Sequence, residues 1–248
     1  IYFSDGSYYP APIAGKTPIG IVVYVNDDSD IGNAATEKNV KATGIGGHGL
    51  VLCLKNVSTT RVTWGTKSYS STSGTNVYTG SGTYTDADIV NPIHYQGYAR
   101  SQGMNNNTYV AARLACQYTE LTAPTTSTGW FLPSAGQWKL IFSGLTPFKD
   151  MGQNKGYSTT FNATYTGTYL IGFINTALAK SGASYDAFGG TSWYSTSEVE
   201  MYWTSSEYNS SGIGVSPIIN KNNGVDLHRN LINDNPGHIF YVRPVLAF

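Results

Sequence analysis

Charge is scarce in this chain. Only 12% of its 248 residues are charged, and 15 Lys and Arg balance 15 Asp and Glu to a formal net charge of zero. A protein that grips nucleic acid electrostatically needs a basic face, and nothing here supplies one. Cysteine is nearly absent, with only Cys53 and Cys116. Two residues that far apart make no zinc-type cluster. Each sits among apolar or small neighbours, as two buried thiols or as one strand-to-helix disulfide in an oxidising compartment. No run is long and apolar enough to span a membrane. Opening on Ile1 rather than Met suits a removed leader or anchor, or a trimmed chain.

The motifs of common catalysts are missing too. There is no G-x-S-x-G elbow, no phosphate-binding loop and no dinucleotide fingerprint. The glycines at 44, 46, 47 and 49 precede no Lys-Ser/Thr and read as a turn. The four histidines, His48, His94, His228 and His238, lack metal-ligand spacing. Glu198 and Glu200 would share one strand face with Glu207 nearby, as a glycosidase pair might, but solvated or capping carboxylates are the plainer reading. Asp27, Asp28 and Asp30, beside Asn26, lack calcium-loop offsets and read as an acidic turn. These readings assign no catalytic residue, no metal and no cofactor.

What the chain does have is 40% apolar residues, 13% aromatics, 28 Gly and 19 Tyr. That suits a folded core under a surface of turns and uncharged polar groups. Ile19 to Val25 reads as a buried strand, and His48 to Asn56 as a second strand beside it. Residues 57 to 106 read as long loop with short strands. Val110, Ala111, Leu114, Ala115 and Tyr118 recur at helical spacing, with Asn107 or Thr108 as cap. Trp130 to Leu132 reads as extended. Ser134 is the expected N-cap of a helix with Trp138, Ile141 and Phe142 on its apolar face and Gly144 at its end. Another helix is expected over Tyr169 to Lys180. MYWTSSEY, from Met201, reads as a strand entering a turn, and Phe240 to Ala247 as the closing strand. With no repeat and no charge boundary, the chain reads as one α+β domain over 1–248. Pairing of its terminal strands would bring the two ends together.

One stretch is of a different kind. From Tyr208 to Tyr241 the sequence mixes Tyr, His, Phe, Arg, Asn and Asp with Ile, Val and Leu. Such mixtures resemble paratopes, where aromatic and Arg anchors are surrounded by small, adaptable polar groups. An ordinary loop and hairpin would also fit.

GWFLPSAGQW, YWTSSEY and VRPVLAF, with YFSDGSYY, GKTPIGIVVYV and HGLVLCLKN, resemble C-type-lectin-like domains of Bacteroidales surface and fimbrial proteins. They resemble in particular the variable proteins of diversity-generating retroelements, and more distantly the formylglycine-generating enzyme fold. The resemblance covers nearly the whole chain. It implies small antiparallel sheets, two to three helices and long loops, with Trp130 and Trp203 as core anchors and Arg243 on the closing strand. It implies a variable region at about 208–241, displayed on one solvent-facing surface. The ligand contacts would be Tyr208, Ile213, Asp226, His228, Arg229, Asn233, Asp234, His238 and Phe240, and replacing several of Ile213, Asp226, His228, Asn233, Asp234, His238 and Phe240 together would barely change the melting temperature.

The implied function is non-enzymatic binding of a protein or glycan on another cell or host surface. The expected location is a cell surface, a pilus tip, an outer-membrane anchor or a phage particle, with no nucleic-acid partner and no transmembrane segment. The alternative is a fixed fimbrial or surface adhesion domain of the same fold. The calcium-dependent sugar motifs of lectins, Glu-Pro-Asn or Gln-Pro-Asp with Trp-Asn-Asp, do not occur, and no cysteine follows Cys116 to serve as the oxidase pair. Retroelement mutagenesis of AAC or AAT codons cannot yield Trp, Lys, Glu, Gln or Met. Within 208–241 only Lys221 belongs to that set.

Overall fold

A computed structural model describes residues 1–25, 48–66, 97–146, 167–189, 199–209, 213–220, 224–231 and 239–248. Its first sheet contains β1 (Tyr2–Phe3), β2 (Pro18–Val25), β3 (Gly49–Cys53) and β8 (Val245–Ala247), in the order β1-β2-β3-β8 and antiparallel throughout. β3 is buried at every position. Its alternating side chains serve two cores. Leu50 and Leu52 pack with Phe131, Trp138, Ile141 and Val245, whereas Val51 and Cys53 pack with Tyr2, Trp130, Leu246 and Phe248. That is why HGLVLCLKN reads as a continuous apolar run: a strand covered on both faces has no polar side to show. The terminal strands do not pair with each other. They lie at opposite edges of the sheet, yet the rings of Tyr2 and Phe248 meet at 5.0 Å.

Four helices follow in chain order among the described residues: α1 (Gly97–Gly103), α2 (Val110–Cys116), α3 (Ala135–Leu145) and α4 (Gly167–Ala179). α1 falls in the stretch expected to be loop. It has little apolar periodicity because it is short and buries Gly97, Arg100 and Ser101 instead of a stripe. α2 starts at Val110 as its apolar spacing predicts. However, its N-cap is Tyr109, with no side-chain bond, rather than Asn107 or Thr108. Those two residues lie in an Asx turn made by Asn106 just before it, the Thr108 amide donating to Asn106 Oδ1 at 3.0 Å.

α3 begins as expected. Ser134 accepts from the Gln137 amide while the Gln137 side chain accepts from the Ser134 amide, a complete capping box. Gly144 does not end this helix, which continues to Leu145. Its role is close approach, because a Cβ there would lie 1.7 Å from the Val23 carbonyl oxygen. The helix can therefore lie directly against β2.

The second sheet is built from β4 (Val199–Met201), β5 (Glu207–Asn209), β6 (Ile213–Asn220) and β7 (Gly224–Leu231). β6 pairs with β4 and β5 on one side and with β7 along its whole length on the other, all antiparallel. The closing strand is shorter than expected: regular pairing covers Val245–Ala247, and Phe240 and Tyr241 make isolated bridges instead. Trp130 and Trp203 are buried core residues, and Phe131 bridges Val245 as an extended piece. Arg243 is fully buried just before β8. It donates to the Cys53 and Leu54 carbonyls at 3.1 and 2.6 Å and to that of Asp186 at 2.5 Å, with its guanidinium 4.8 Å from the Phe188 ring centre. Three carbonyl acceptors and a ring face offset the cost of burying this charge, while Arg243 Nε meets no acceptor among the described residues.

Candidate functional site

The chain on either side of the stretch 208–239 comes together at one place. Before it, Tyr202 and Trp203 run beside Tyr241, with a parallel bridge between Tyr202 and Tyr241. The Trp203 amide donates to the Tyr241 carbonyl at 2.9 Å, and the Tyr241 amide to that of Met201 at 3.1 Å. The Trp203 ring packs on Phe240 at 4.2 Å, and its indole N–H donates to the Val62 carbonyl at 2.7 Å. Val62 and Phe240 exchange both backbone bonds, at 2.9 and 3.0 Å. The Trp64 indole donates to the Thr204 carbonyl at 2.7 Å. Buried indoles that satisfy their N–H in this way fix orientation as well as fill volume.

A second tether holds the departing strand. The Ser205 amide donates to the Pro133 carbonyl at 2.9 Å, and the Ala135 amide to Ser206 Oγ at 3.0 Å. Thr204, Ser205, Ser206 and Glu207 are all fully buried. TSSE is thus an internal polar seam fastening the second sheet to the start of α3. Glu207 is fully buried and so is not a solvated carboxylate, one of its two expected readings. Glu198 lies outside the described residues, so the carboxylate trio is not assembled among them.

The expected contact residues distribute unevenly. Tyr208 is in β5, Ile213 starts β6, and Asp226, His228 and Arg229 are in β7. Asn233, Asp234 and His238 lie outside the described residues, as do Asp27, Asp28 and Asp30. Phe240 corrects the reading. It is 1% exposed, packed on Trp203 and bonded to Val62, and it is a core residue rather than a contact. The strand pleat separates the others. Asp226 is opposite Ile218 and His228 opposite Ser216, whereas Arg229 is opposite Val215 on the alternate face, which it shares with Ile213. The expected contacts therefore do not form one face of the sheet. Ser216 and Ile219, on opposite faces of β6, are both fully buried.

The residues that sequence reading missed are those of the clamp: Val62, Trp64 and Tyr241. RVTW, 61–64, has the apolar alternation of a short strand but sits between polar loops, which hides it.

Neither cysteine is positioned for chemistry. Both are free thiols, and burial pushes each up to about 12. They are protonated at neutral pH and poor nucleophiles. Among the described residues no three His, Cys, Asp or Glu gather as a metal set, and no helix is long and apolar enough to cross a membrane.

No family model matches this chain, and no curated protein matches it. Among solved structures it is similar to a fimbrial protein from Bacteroides ovatus ATCC 8483, with a TM-score of 0.61 and 17% identity. The match covers 100% of this chain and 48% of the other, so the chain spans about half of that protein. At this identity the likeness shows a shared α+β fold.

Proposed function

We propose that this chain is a non-enzymatic adhesion domain of C-type-lectin-like type, exposed at a cell surface as part of a fimbrial or related structure. Its ligand would be a protein or glycan on another cell. The observation that carries this reading is the clamp. A long excursion is held at both ends by Trp203, Phe240, Tyr241 and Val62, and its departing strand by the buried TSSE seam. A hairpin with fixed ends, and with Ser216 and Ile219 of β6 anchored inside the fold, leaves β7 as the strand where residues can change at least cost to the core. The fold likeness to a fimbrial protein supports the location. The binding surface is placed on β7, with Asp226, His228 and Arg229, and excludes Phe240 and the buried Glu207, Ser216 and Ile219. The test is binding of the labelled domain to epithelial cells and to immobilised mucin glycans. Saturable binding lost on replacing Asp226, His228 and Arg229 together supports the reading, and absence of binding to any such surface counts against it.

A second reading is that a retroelement diversifies this surface. The near absence of Trp, Lys, Glu, Gln and Met from 208–241 favours it. Sequencing the gene in related isolates decides: differences confined to AAC- or AAT-derived codons in that stretch support diversification, and evenly scattered differences support a fixed adhesin.

A further inference from the structure

β7 pairs along its full length with β6, and among the described residues its other edge has no strand partner. Among the described residues, nothing pairs with the backbone donors and acceptors on that side of the eight residues GVDLHRNL. An edge of that length is a template for another strand. Its own sequence says which strand fits.

Two copies of one strand pair antiparallel about a two-fold axis only where some residue lies opposite itself, because an axis between residues would exchange donor and acceptor in a single hydrogen bond. The registers using most of β7 are those centred on Leu227 and on His228. Centring on His228 sets His against His. Shorter registers centred on Asp226 or Arg229 set Asp against Asp or Arg against Arg, and like charges directly opposite destabilise a sheet. Centring on Leu227 sets Asp226 opposite His228 of the second copy, twice by symmetry, and keeps each Arg229 opposite a Val225.

We propose that the β7 edge is a homotypic docking site, joining two copies of this chain into one continuous sheet through the Leu227-centred register. The inference rests on reading β7 as the binding surface and names its partner as a second copy. The ionisable residues that favour this register disfavour its neighbours, so the edge is selective rather than generally adhesive. A single strand pair buries little area, so the association is weak and concentration-dependent.

Sedimentation of the purified chain tests it, with disulfide trapping to fix the register. Wild type should rise from the mass of one chain toward two as concentration increases. Asp226→His should lower the dimer fraction severalfold, and Asp226→His with His228→Asp should restore it, because the swap keeps Asp opposite His. Under mild oxidation Leu227→Cys should form a reducible dimer, several times more than Val225→Cys or wild type. A wild type that stays monomeric at every concentration overturns the proposal, whatever the folding of the variants. So does trapping that fails to favour position 227. Either failure leaves the cell-surface binding above standing or falling on its own measurement.

Discussion

Phe240 and His228 lie in the same stretch of sequence and have opposite expected roles. Phe240 fills the space beside Trp203, so Phe240→Ala should cost about 3–5 kcal/mol in a denaturant titration. His228→Ala, on an edge strand read as ligand-facing, should stay within about 0.5 kcal/mol. Equal costs would mean that β7 is core or that Phe240 is not. The two thiols, Cys53 buried and Cys116 half-buried, make a second prediction. Cys53 and Cys116 titrate at about 12 in the fold and near 8.5 in an unfolded chain. Above pH ~8.5 the unfolded chain gives up these protons first, so ionisation draws the equilibrium toward it. Burial of Tyr2, pushed up to about 12, acts in the same direction. Stability should therefore be level through neutral pH and fall as pH rises toward 12. In the native protein the fully buried Cys53 should react more slowly with a thiol reagent at pH 7 than the half-buried Cys116, and fast reaction of Cys53 would contradict its burial.

At the scale of elements, legibility followed local chemistry. β2, β3, α3 and α4 were readable because each is specified by its own residues: branched apolar runs, a Ser-x-x-Gln cap and helical spacing. α1, the bridge at Val62 and the burial of Glu207 were not, because long-range partners create them. Val62 is fixed by Phe240, and TSSE by Pro133 and Ala135 at the start of α3. No window of sequence contains both halves. The split of Asp226 and His228 from Arg229 was legible in principle, since a strand alternates faces, but only once 224–231 is known to be a strand rather than a loop. Gly144 shows a different limit. A glycine near a helix end reads as a stop, and only the distance to Val23 reveals a packing contact. Gly144→Ala should thus destabilise the domain by more than about 1 kcal/mol, against the gain an exposed helical Gly→Ala would bring. Ser134→Ala should cost about 1–2 kcal/mol through loss of the capping box. A neutral or stabilising Gly144→Ala would place α3 farther from β2 than described.

Under the proposed function the whole molecule divides into a scaffold and a display. The first sheet, α3, α4 and, through Ile219, β6 surround the main core, and a second core of Trp64, Met104, Leu132, Trp203 and Phe240 seals the point where the two ends of 208–239 meet. Stability and recognition would then be carried by different residues. The direct test replaces Asp226, His228, Arg229, Asn233 and Asp234 together with Ser or Ala and measures melting temperature beside cell-surface binding. For a domain of this size, 1 kcal/mol corresponds to roughly 2–4 °C. The account predicts a shift within that range and loss of binding. A melting temperature lowered far beyond it, or binding left intact, would contradict the division between scaffold and display.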